Sequence, residues 1–333
     1  MTRRIGVLGA GSWGTTLADL LSRLGHEVEL WAYEPEVVEQ INGGHENVLF
    51  LKGCGLHPAL RAVRDAGAVV AGKDLVLSAV PSHAVRSVFT QVTAAIPAGT
   101  LLVSATKGLE TATLARMSEV AADLVPQARY VVLSGPSFAL EVFQRQPTAV
   151  VAASADLEAA RAAQQAFSSG AFRVYSRQDV VGVELAGALK NVMAIAAGIL
   201  EGLGLGHNPR AALITRGLAE MSRLGLALGA EASTFAGLAG MGDLVLTATG
   251  QLSRNRALGV AIGQGQKLAD YAAAHRTVAE GVNTTRAALR LARRAGVELP
   301  ITAKVAEVLF EEKDPRQGIG ELMERALKSE EWT

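Results

Sequence analysis

The feature that most constrains this chain is a glycine-rich turn directly after its first apolar run. Residues 5–14 read Ile-Gly-Val-Leu-Gly-Ala-Gly-Ser-Trp-Gly, a strand pattern that leads into G-x-G-x-x-G and a helical pattern over Trp13–Leu24. In such a turn Gly9 permits the sharp bend, Gly11 lets a pyrophosphate approach the backbone, and Gly14 lets the helix pack on the strand. The free N–H groups of the helix start would face the anion. The sequence therefore predicts a dinucleotide site here rather than a tight turn without a ligand.

The first half of the chain alternates short β-branched runs with helical patterns, which is typical of βαβ units around a parallel sheet. The runs are continuously apolar, as expected of strands buried on both faces. The predicted strands are Ile5–Leu8, Val28–Trp31, Leu75–Ala79, Leu101–Ser104, Val131–Leu133, Ala149–Ala152 and Phe172–Tyr175, with a helix at Leu157–Phe167 before the last.

From about Val181 the strand signal fades, and Ala, Leu, Glu and Arg recur at helical spacing. One helix is predicted with Asn208 as its cap, Pro209 in its first turn and Gly225 just beyond its end. We therefore expect an α/β protein with an N-terminal Rossmann-type dinucleotide-binding domain over residues 1–180. A C-terminal all-helical domain would follow over residues 181–333.

Charge and cysteine content exclude several classes of partner. Lys plus Arg and Asp plus Glu both total 32, so no net field favours nucleic acid or an anionic membrane. The single Cys54 excludes an intramolecular disulfide and indicates a reducing compartment. Residues 1–4 imitate the start of a secretory signal, but glycines interrupt the apolar run and no cleavage site follows. Since no segment offers roughly 18 uninterrupted apolar residues, we expect a cytoplasmic protein without a membrane span.

Two predicted strands are followed by polar segments. Lys107 lies in Ala105–Leu109, and Gly135 and Ser137 lie in Ser134–Ala139. Both segments would sit at the carboxyl edge of the sheet, where open α/β sheets bind ligands. A solvated loop is the alternative for each.

A lysine interrupts the apolar helix predicted over Val183–Leu200. The face that carries Lys190 also carries small residues, Ala or Gly, at positions 186, 187, 194 and 197. A lysine usually extends to water from a helix end, so one held in mid-helix among small residues indicates a functional role.

Further polar residues cluster between residues 240 and 256. Asp243 and Thr247 are four residues apart, so one helical turn would present them together. Arg254 and Asn255 offer a guanidinium and an amide suited to phosphate oxygens, beside Ser253. A surface salt-bridge cluster is the alternative.

The end of the second predicted strand bears on the choice of cofactor. A carboxylate there would hold the ribose 2′-hydroxyl and exclude NADP, but the position is Ala32, followed by Tyr33 and Glu34. No arginine is present there to attract a 2′-phosphate either. The sequence is compatible with NAD and with NADP, and it calls for no metal.

These segments together resemble the bacterial NAD(P)-dependent glycerol-3-phosphate dehydrogenases. The similarity spans nearly the whole chain. It rests on Gly9–Gly14, Ala105–Leu109, Ser134–Ala139, Leu189–Asn191, Asn208–Glu220, Gly237–Thr249, Ser253–Arg256 and Glu280-Gly281. The resemblance implies reversible reduction of dihydroxyacetone phosphate to sn-glycerol 3-phosphate, which supplies the phospholipid backbone. Hydride would come from nicotinamide C4. A homodimer stays open.

The resemblance also implies residue roles. Lys190 would exchange the proton, with Lys107 and Asp243 beside it in the catalytic group. The substrate would be surrounded by Lys107, Gly135, Ser137, Lys190, Asn191, Asp243, Thr247, Ser253, Arg254 and Asn255. The cofactor would contact Gly9, Gly11, Ser12, Trp13, Gly14, Tyr33, Phe50, Lys107, Ala139, Arg254, Val278 and Glu280.

Three positions depart from the family pattern. Tyr33 stands where many members have Arg or His, and Leu140 replaces a usual basic residue. Phe50 lies where members more often have Tyr, so it would stack near the adenine without donating a hydrogen bond.

Two other functions are compatible with parts of the sequence. A relative of the β-hydroxyacid dehydrogenases would share both domains and a helix-borne lysine, but it would bind a carboxylate rather than the phosphate that Arg254 favours. A dinucleotide-sensing protein without catalysis would keep the glycine-rich turn but would not need Lys107, Lys190 or Asp243.

Overall fold

The apolar runs of the first half assemble into one eight-stranded sheet of order β3-β2-β1-β4-β5-β6-β7-β8. The computed structural model describes residues 2–275, 279–327 and 329–330. The strands are β1 Arg4–Leu8, β2 Glu27–Trp31, β3 Arg61–Val63, β4 Leu75–Ser78, β5 Leu101–Ser104, β6 Arg129–Ser134, β7 Thr148–Ala153 and β8 Phe172–Arg177. Neighbouring strands are parallel except β6 and β7, which are antiparallel.

The chain divides into two compact units. Unit 1 contains residues 1–107 and 115–180, and unit 2 contains residues 108–114 and 181–333. The short segment 108–114, which the sequence pattern assigns to the first domain, belongs to unit 2. Leu109 and Leu114 are buried in the core of that unit, and Arg290 donates to the carbonyl of Thr111 at 2.6 Å.

Unit 1 has helices on both faces of its sheet. These are α1 Ser12–Arg23, α2 Pro35–Gly44, α3 Ala66–Val70, α4 Val85–Val92, α5 Met117–Leu124, α6 Ala139–Phe143 and α7 Leu157–Phe167. Leu17 of α1 and Ala159 of α7 belong to one apolar cluster, and Val88 of α4 and Val120 of α5 belong to the other. Because both faces are covered, the central strands β1 and β4 are apolar and buried.

The strand order reverses between β1 and β4, which lie side by side. Open α/β sheets bind ligands at the carboxyl ends of the strands at such a point. The glycine-rich turn follows β1 and therefore lies there. The predicted Rossmann-type architecture is confirmed.

Two features of the sheet differ from the sequence prediction. The pattern does not indicate β3, because that strand has three residues and only Ala62 is buried. The sheet is parallel, as the pattern predicts, except where β7 pairs with β6. The connection from β6 carries the five-residue α6, which packs on α1, and the chain then returns antiparallel to β6.

Unit 2 is helical, as predicted. Its helices are α8 Val180–Gly202, α9 His207–Ala227, α10 Ala232–Phe235, α11 Asp243–Thr249, α12 Arg254–Gly263, α13 Leu268–Ala274, α14 Glu280–Ala295, α15 Pro300–Phe310 and α16 Pro315–Met323. By length and composition α8 could cross a membrane, but 89% of its most apolar window is buried in the protein. It is therefore a core helix of unit 2.

The predicted bounds of α9 were wrong at both ends. Its N-cap is Gly206, so Asn208 lies inside the first turn and is not the cap. Gly225 lies within the helix rather than beyond it. A Cβ on Gly225 would lie 2.2 Å from the Phe235 ring, so this glycine serves the packing of α10 on α9 and does not end the helix.

A buried carboxylate on α9 caps another helix of unit 2. Glu220 accepts hydrogen bonds from the backbone N–H of Ile301 at 2.7 Å and of Thr302 at 2.9 Å, and from the Thr302 hydroxyl at 2.6 Å. The N-cap residue of α15, Leu299, has no side-chain acceptor of its own. Glu220 therefore satisfies the free N–H groups of α15 from a helix 81 residues away in sequence.

We predict that Glu220→Ala lowers the free energy of unfolding by about 1–3 kcal/mol, because it leaves buried N–H donors without an acceptor. Burial raises the pKa of Glu220 above its ordinary value. The native state therefore holds this proton more tightly than the unfolded chain does. The contribution of Glu220 to stability is largest below the unfolded pKa of about 4.3 and falls as pH rises through the folded pKa.

Urea denaturation of the wild type and of Glu220→Gln between pH 4 and pH 8 tests whether the stability contributed by Glu220 falls as pH rises. The stability advantage of the wild type over the Gln variant should shrink as pH rises. An advantage that grew with pH would contradict it.

Candidate functional site

The glycine-rich turn of unit 1 has the geometry its motif predicts. Gly9 has a φ of +106°, which L side chains rarely adopt. A Cβ on Gly14 would lie 1.9 Å from the Gly9 carbonyl oxygen, so α1 packs on the turn at a distance only glycine allows. A Cβ on Gly11 would meet no atom within 4 Å. Gly11 therefore keeps space open beside the backbone.

The start of α1 suits a pyrophosphate. Its N-cap is Gly11, which supplies no side-chain hydrogen bond, and its first turn contains no acidic residue. The first N–H groups of a helix lack partners within the helix and attract anions. Ser12 and Trp13 occupy the first two helical positions, where both are partly buried. This part of the chain fits the dinucleotide phosphates.

Asn47, which the sequence pattern does not single out, connects the segment that carries Phe50 to this turn through hydrogen bonds. The side-chain amide of Asn47, which is fully buried, donates to the Ala10 carbonyl at 2.8 Å and to the Thr15 hydroxyl at 2.9 Å. Its oxygen accepts from the backbone N–H of Phe50 at 3.1 Å. Asn47 thereby holds the predicted adenine contact, Phe50, close to the turn. Nothing in the local sequence distinguishes this asparagine from an ordinary loop residue.

The segments after β5 and β6 lie at the same edge of the sheet, as the sequence predicts, and the structure shows that they contact each other. Lys107 donates to the Gly135 carbonyl at 3.1 Å, and the Ser137 hydroxyl donates to the same oxygen at 3.0 Å. The Thr16 hydroxyl of α1 donates to the Ala139 carbonyl at 3.3 Å. Unit 1 therefore brings Lys107, Gly135, Ser137 and Ala139 to the edge that carries the glycine-rich turn.

The remaining proposed cofactor residues lie in different settings. Tyr33 follows β2, is 81% exposed and stands edge-on to Trp31 with ring centroids 6.5 Å apart. Leu140, which is not one of them but departs from the family pattern, packs against the core of unit 1. Glu280 is the first residue of α14. Val278 lies outside the described residues.

The core of unit 2 contains a buried ion pair. The Lys190 Nζ lies 2.7 Å from Asp243 Oδ1, and the two side chains are 9% and 1% exposed. Ala186, Ala194 and Ala197 on the same face of α8 are fully buried. A buried ammonium needs such a partner, since the loss of its hydration is costly. The structure thus unites Lys190 and Asp243, which the sequence singled out separately.

The backbone before Asp243 is unusually tight. Leu238–Gly242 forms a single π-helical turn, a form found often at functional sites. A Cβ on Gly240 would lie 2.1 Å from the Phe235 carbonyl oxygen, so this turn packs directly on α10. Asp243 then begins α11, and Thr247 follows one helical turn later, as the spacing predicted.

The polar residues after α11 organise the start of α12. Ser253 is the N-cap of α12 and accepts from the backbone N–H of Arg256 at 3.2 Å, while its hydroxyl lies 3.0 Å from that of Thr247. Arg254 is the first residue of α12 and is exposed. Arg256 instead binds Glu201 through two guanidinium nitrogens, at 2.6 Å and 3.0 Å, so it serves the fold.

Asn191 and Asn255 form a bridge among three helices. The side-chain amide of Asn255 donates to Asn191 Oδ1 at 3.0 Å, and its oxygen accepts from the Gly281 N–H at 2.9 Å. The bridge joins α8, α12 and α14. It fixes Asn191 and Asn255 relative to the adjacent Lys190 and Arg254, a role that their spacing in the sequence does not reveal.

Glycines allow α8 and α12 to touch through their backbones. A Cβ on Gly198 would lie 2.1 Å from the Arg256 carbonyl oxygen, and one on Gly259 would lie 2.1 Å from the Ile195 carbonyl oxygen. This contact sets the distance between Lys190 on α8 and Arg254 on α12. Among the described residues, no three His, Cys, Asp or Glu side chains are grouped closely enough to hold a metal ion.

Comparison with known families gives matches over both units. The family model described as NAD-dependent glycerol-3-phosphate dehydrogenase N-terminus matches residues 4–160. The model described as the C-terminus of the same enzyme matches residues 179–320.

Individual relatives carry the same description. The glycerol-3-phosphate dehydrogenase (NAD(P)+) of Geobacter sulfurreducens is 58% identical over 335 residues, with 100% of each chain covered. That of Geobacter metallireducens is 56% identical over 333 residues, with 99% of each chain covered. The crystal structure of the Coxiella burnetii glycerol-3-phosphate dehydrogenase superposes with a TM-score of 0.93 at 41% identity, covering 97% of this chain and 99% of that one.

The glycine-rich turn allows structural and ligand roles to be separated. We predict that Gly14→Ala lowers the free energy of unfolding by about 1–3 kcal/mol, because its Cβ would clash with the Gly9 carbonyl. Gly11→Ala should change stability by less than about 0.5 kcal/mol, since its Cβ meets open space. It should nevertheless weaken dinucleotide binding at least tenfold, because the methyl group would occupy the approach of the pyrophosphate.

Thermal denaturation and calorimetric titration with NADH and NADPH measure the two effects on both variants. Unchanged dinucleotide affinity in Gly11→Ala would contradict the assigned position of the pyrophosphate.

Proposed function

Because this chain belongs to the NAD-dependent glycerol-3-phosphate dehydrogenase family, we propose that it reversibly reduces dihydroxyacetone phosphate to sn-glycerol 3-phosphate. The reaction consumes one reduced nicotinamide dinucleotide and one proton for each ketone reduced. Its product is the backbone of phospholipids. We assign the dinucleotide, Lys107, Gly135 and Ser137 to unit 1, and we assign the proton donor and the phosphate contacts to unit 2.

The observation that carries this proposal is the buried pair of Lys190 and Asp243. A protonated amine at 2.7 Å from a carboxylate is held in one direction and cannot swing freely. The small side chains on its face of α8 let the rest of unit 2 pack closely around the ammonium, which separates it from bulk water.

The bound dinucleotide supplies hydride for reduction and accepts it for oxidation. In reduction, the Lys190 ammonium donates a hydrogen bond to the ketone oxygen and then transfers its proton as the alkoxide charge develops. In oxidation, the neutral amine removes the hydroxyl proton. Asp243 orients the amine throughout and balances its charge in the protonated form.

The substrate phosphate is assigned to the start of α12. Arg254 offers a planar guanidinium that can bind two phosphate oxygens, and the first N–H groups of the ten-residue α12 favour an anion. Ser253 and Thr247 hold this helix start in place through their mutual contact. Asn191 and Asn255 keep α8 and α12 in register and retain one amide hydrogen of Asn255 for the substrate.

We further propose that the protein works in the cytoplasm. Its longest apolar helix, α8, packs into unit 2 instead of being available to a bilayer. Its single cysteine, Cys54, is buried and free. A homodimer fits the proposal, and light scattering coupled to size-exclusion chromatography would test it.

We predict that Lys190→Ala lowers kcat by about a thousandfold or more, since it removes the group that exchanges the proton. Dinucleotide affinity should stay within about threefold of the wild type, because the glycine-rich turn belongs to unit 1. Steady-state reduction of dihydroxyacetone phosphate and calorimetric titration with the cofactor measure the two quantities. Retained turnover would end the assignment of Lys190.

The single variant leaves the Asp243 carboxylate buried without its partner, which costs about 3–5 kcal/mol of stability. Lys190→Met combined with Asp243→Asn removes both charges and serves as the matched control. This double variant should recover most of the lost stability and still lack turnover. Recovered turnover would contradict the proposal.

We also predict that Arg254→Ala raises KM for dihydroxyacetone phosphate about 10- to 100-fold and changes kcat much less, because it binds the phosphate equally in ground and transition states. The control is Arg256→Ala, whose guanidinium is held by Glu201. It should lower stability and leave KM nearly unchanged. An unchanged KM in Arg254→Ala would remove Arg254 from the phosphate site.

A further inference from the structure

The residue that follows the edge strand β3, Arg64, has a positively charged side chain. It lies at the place where dinucleotide-binding sheets distinguish NAD from NADP. That place is the carboxyl end of β2, where an acidic residue holds the ribose 2′-hydroxyl and repels a 2′-phosphate. In this chain the position is Ala32, which is buried and carries no charge. The sequence of β2 alone offers neither a carboxylate nor an arginine there.

The register of β3 against β2 places a positively charged residue, Arg64, at this position. β2 and β3 are parallel, with Trp31 opposite Val63. The Ala32 N–H donates to the Val63 carbonyl at 3.2 Å, so the pairing continues one residue past β2. Arg64 is the next residue after Val63. The two strands therefore end together, and Arg64 stands beside Ala32 at the carboxyl edge.

The backbone of Arg64 is anchored at this position. The indole N–H of Trp31 donates to the Arg64 carbonyl at 3.0 Å, and the Trp31 ring also stands edge-on to Tyr33. Trp31 thus links Arg64 to Tyr33, the residue already assigned to the cofactor.

The acidic neighbour of Arg64 is engaged elsewhere. Asp65 is the N-cap of α3, and its carboxylate accepts from the N–H groups of Gly67 at 2.8 Å and Ala68 at 3.3 Å. Arg64 is exposed, and no carboxylate of the described residues forms an ion pair with its guanidinium. Its charge is available to a ligand. Glu34 is the opposing group, since it follows Tyr33 and its side chain makes no cap hydrogen bond to α2.

We propose that Arg64 binds the 2′-phosphate of NADP and makes NADP the preferred cofactor of this chain. The inference rests on the proposed function, which assigns the dinucleotide to unit 1. A guanidinium can donate two parallel hydrogen bonds to a phosphate, whereas the 2′-hydroxyl of NAD presents no charge to it. Tyr33, exposed on the same edge, flanks the phosphate with a neutral ring instead of a carboxylate.

The test compares direct binding by the full chain, measured by isothermal titration calorimetry with NADPH, NADH, adenosine 2′,5′-bisphosphate and AMP. The wild type should bind NADPH more tightly than NADH, and the bisphosphate more tightly than AMP. Arg64→Gln should weaken NADPH and the bisphosphate about 10- to 100-fold and change NADH and AMP by less than about twofold.

Arg61→Gln is the matched control. Arg61 is an exposed arginine at the other end of β3, about 10 Å away along the strand, and its loss changes the net charge equally. It should leave the ratio of NADPH to NADH affinity unchanged. An equal shift in both variants would mean that general charge, and not Arg64, sets the affinity, and it would overturn the inference.

Tighter binding of NADH by the wild type would also overturn the inference and would make Glu34 the determinant. The two proposals can fail separately. If the wild type reduces dihydroxyacetone phosphate but Arg64→Gln leaves the ratio of NADPH to NADH affinity unchanged, the role of Arg64 is overturned and the proposed function stands. The predicted loss of NADPH affinity in a chain that does not reduce this ketone would support Arg64 and contradict the proposed function.

Discussion

The buried ion pair between Lys190 and Asp243 is the interaction on which the helical unit and its proposed chemistry both depend. Two charges taken out of water are tolerable only when they meet at hydrogen-bond distance, as they do at 2.7 Å. That requirement fixes the start of α11 against the middle of α8. The π-helical turn before Asp243 and the small residues around Lys190 are the local adjustments that let the two side chains meet.

Close backbone contacts give both units the precision that a hydride-transfer enzyme needs. In unit 1 the third glycine of the turn lets α1 approach the Gly9 carbonyl, which directs the free N–H groups of the helix. In unit 2 Gly198 and Gly259 bring α8 and α12 into backbone contact, and the Asn191–Asn255 bridge prevents the two helices from sliding. Positioning within about an ångström matters because small displacements of reacting groups reduce rates sharply.

The polar groups of the candidate site divide into those that meet a ligand and those that hold the others. Lys190 and Arg254 are assigned to the substrate, whereas Ser253 and Asn255 form hydrogen bonds mainly with other protein groups. Asn47 acts in the same supporting way for the glycine-rich turn. We therefore expect residues that never touch the reacting atoms to affect the reaction, because they position the residues that do.

The sequence by itself determined what local chemistry can encode. Four features could be predicted because each depends on a turn or a periodic pattern of a few residues. They are the glycine spacing of the first turn, the apolar strands, the lysine in the middle of an apolar helix and the helical second half. The bounds of α9 could not be predicted, because a glycine such as Gly225 is typical of a helix end and its packing against Phe235 is visible only in the structure. The strand β3 could not be predicted either, because a strand of three residues is too short to show a periodic pattern.

Only the tertiary structure decided which distant residues meet. It joined Lys190 to Asp243 across 53 residues, Asn47 to the first turn across 37, and Glu220 to α15 across 81. It also placed Arg64 beside the end of β2 through strand register. The physical reason is that hydrogen bonds and ion pairs require contact within a few ångströms, and contact between remote segments follows from packing and register, which no local pattern specifies.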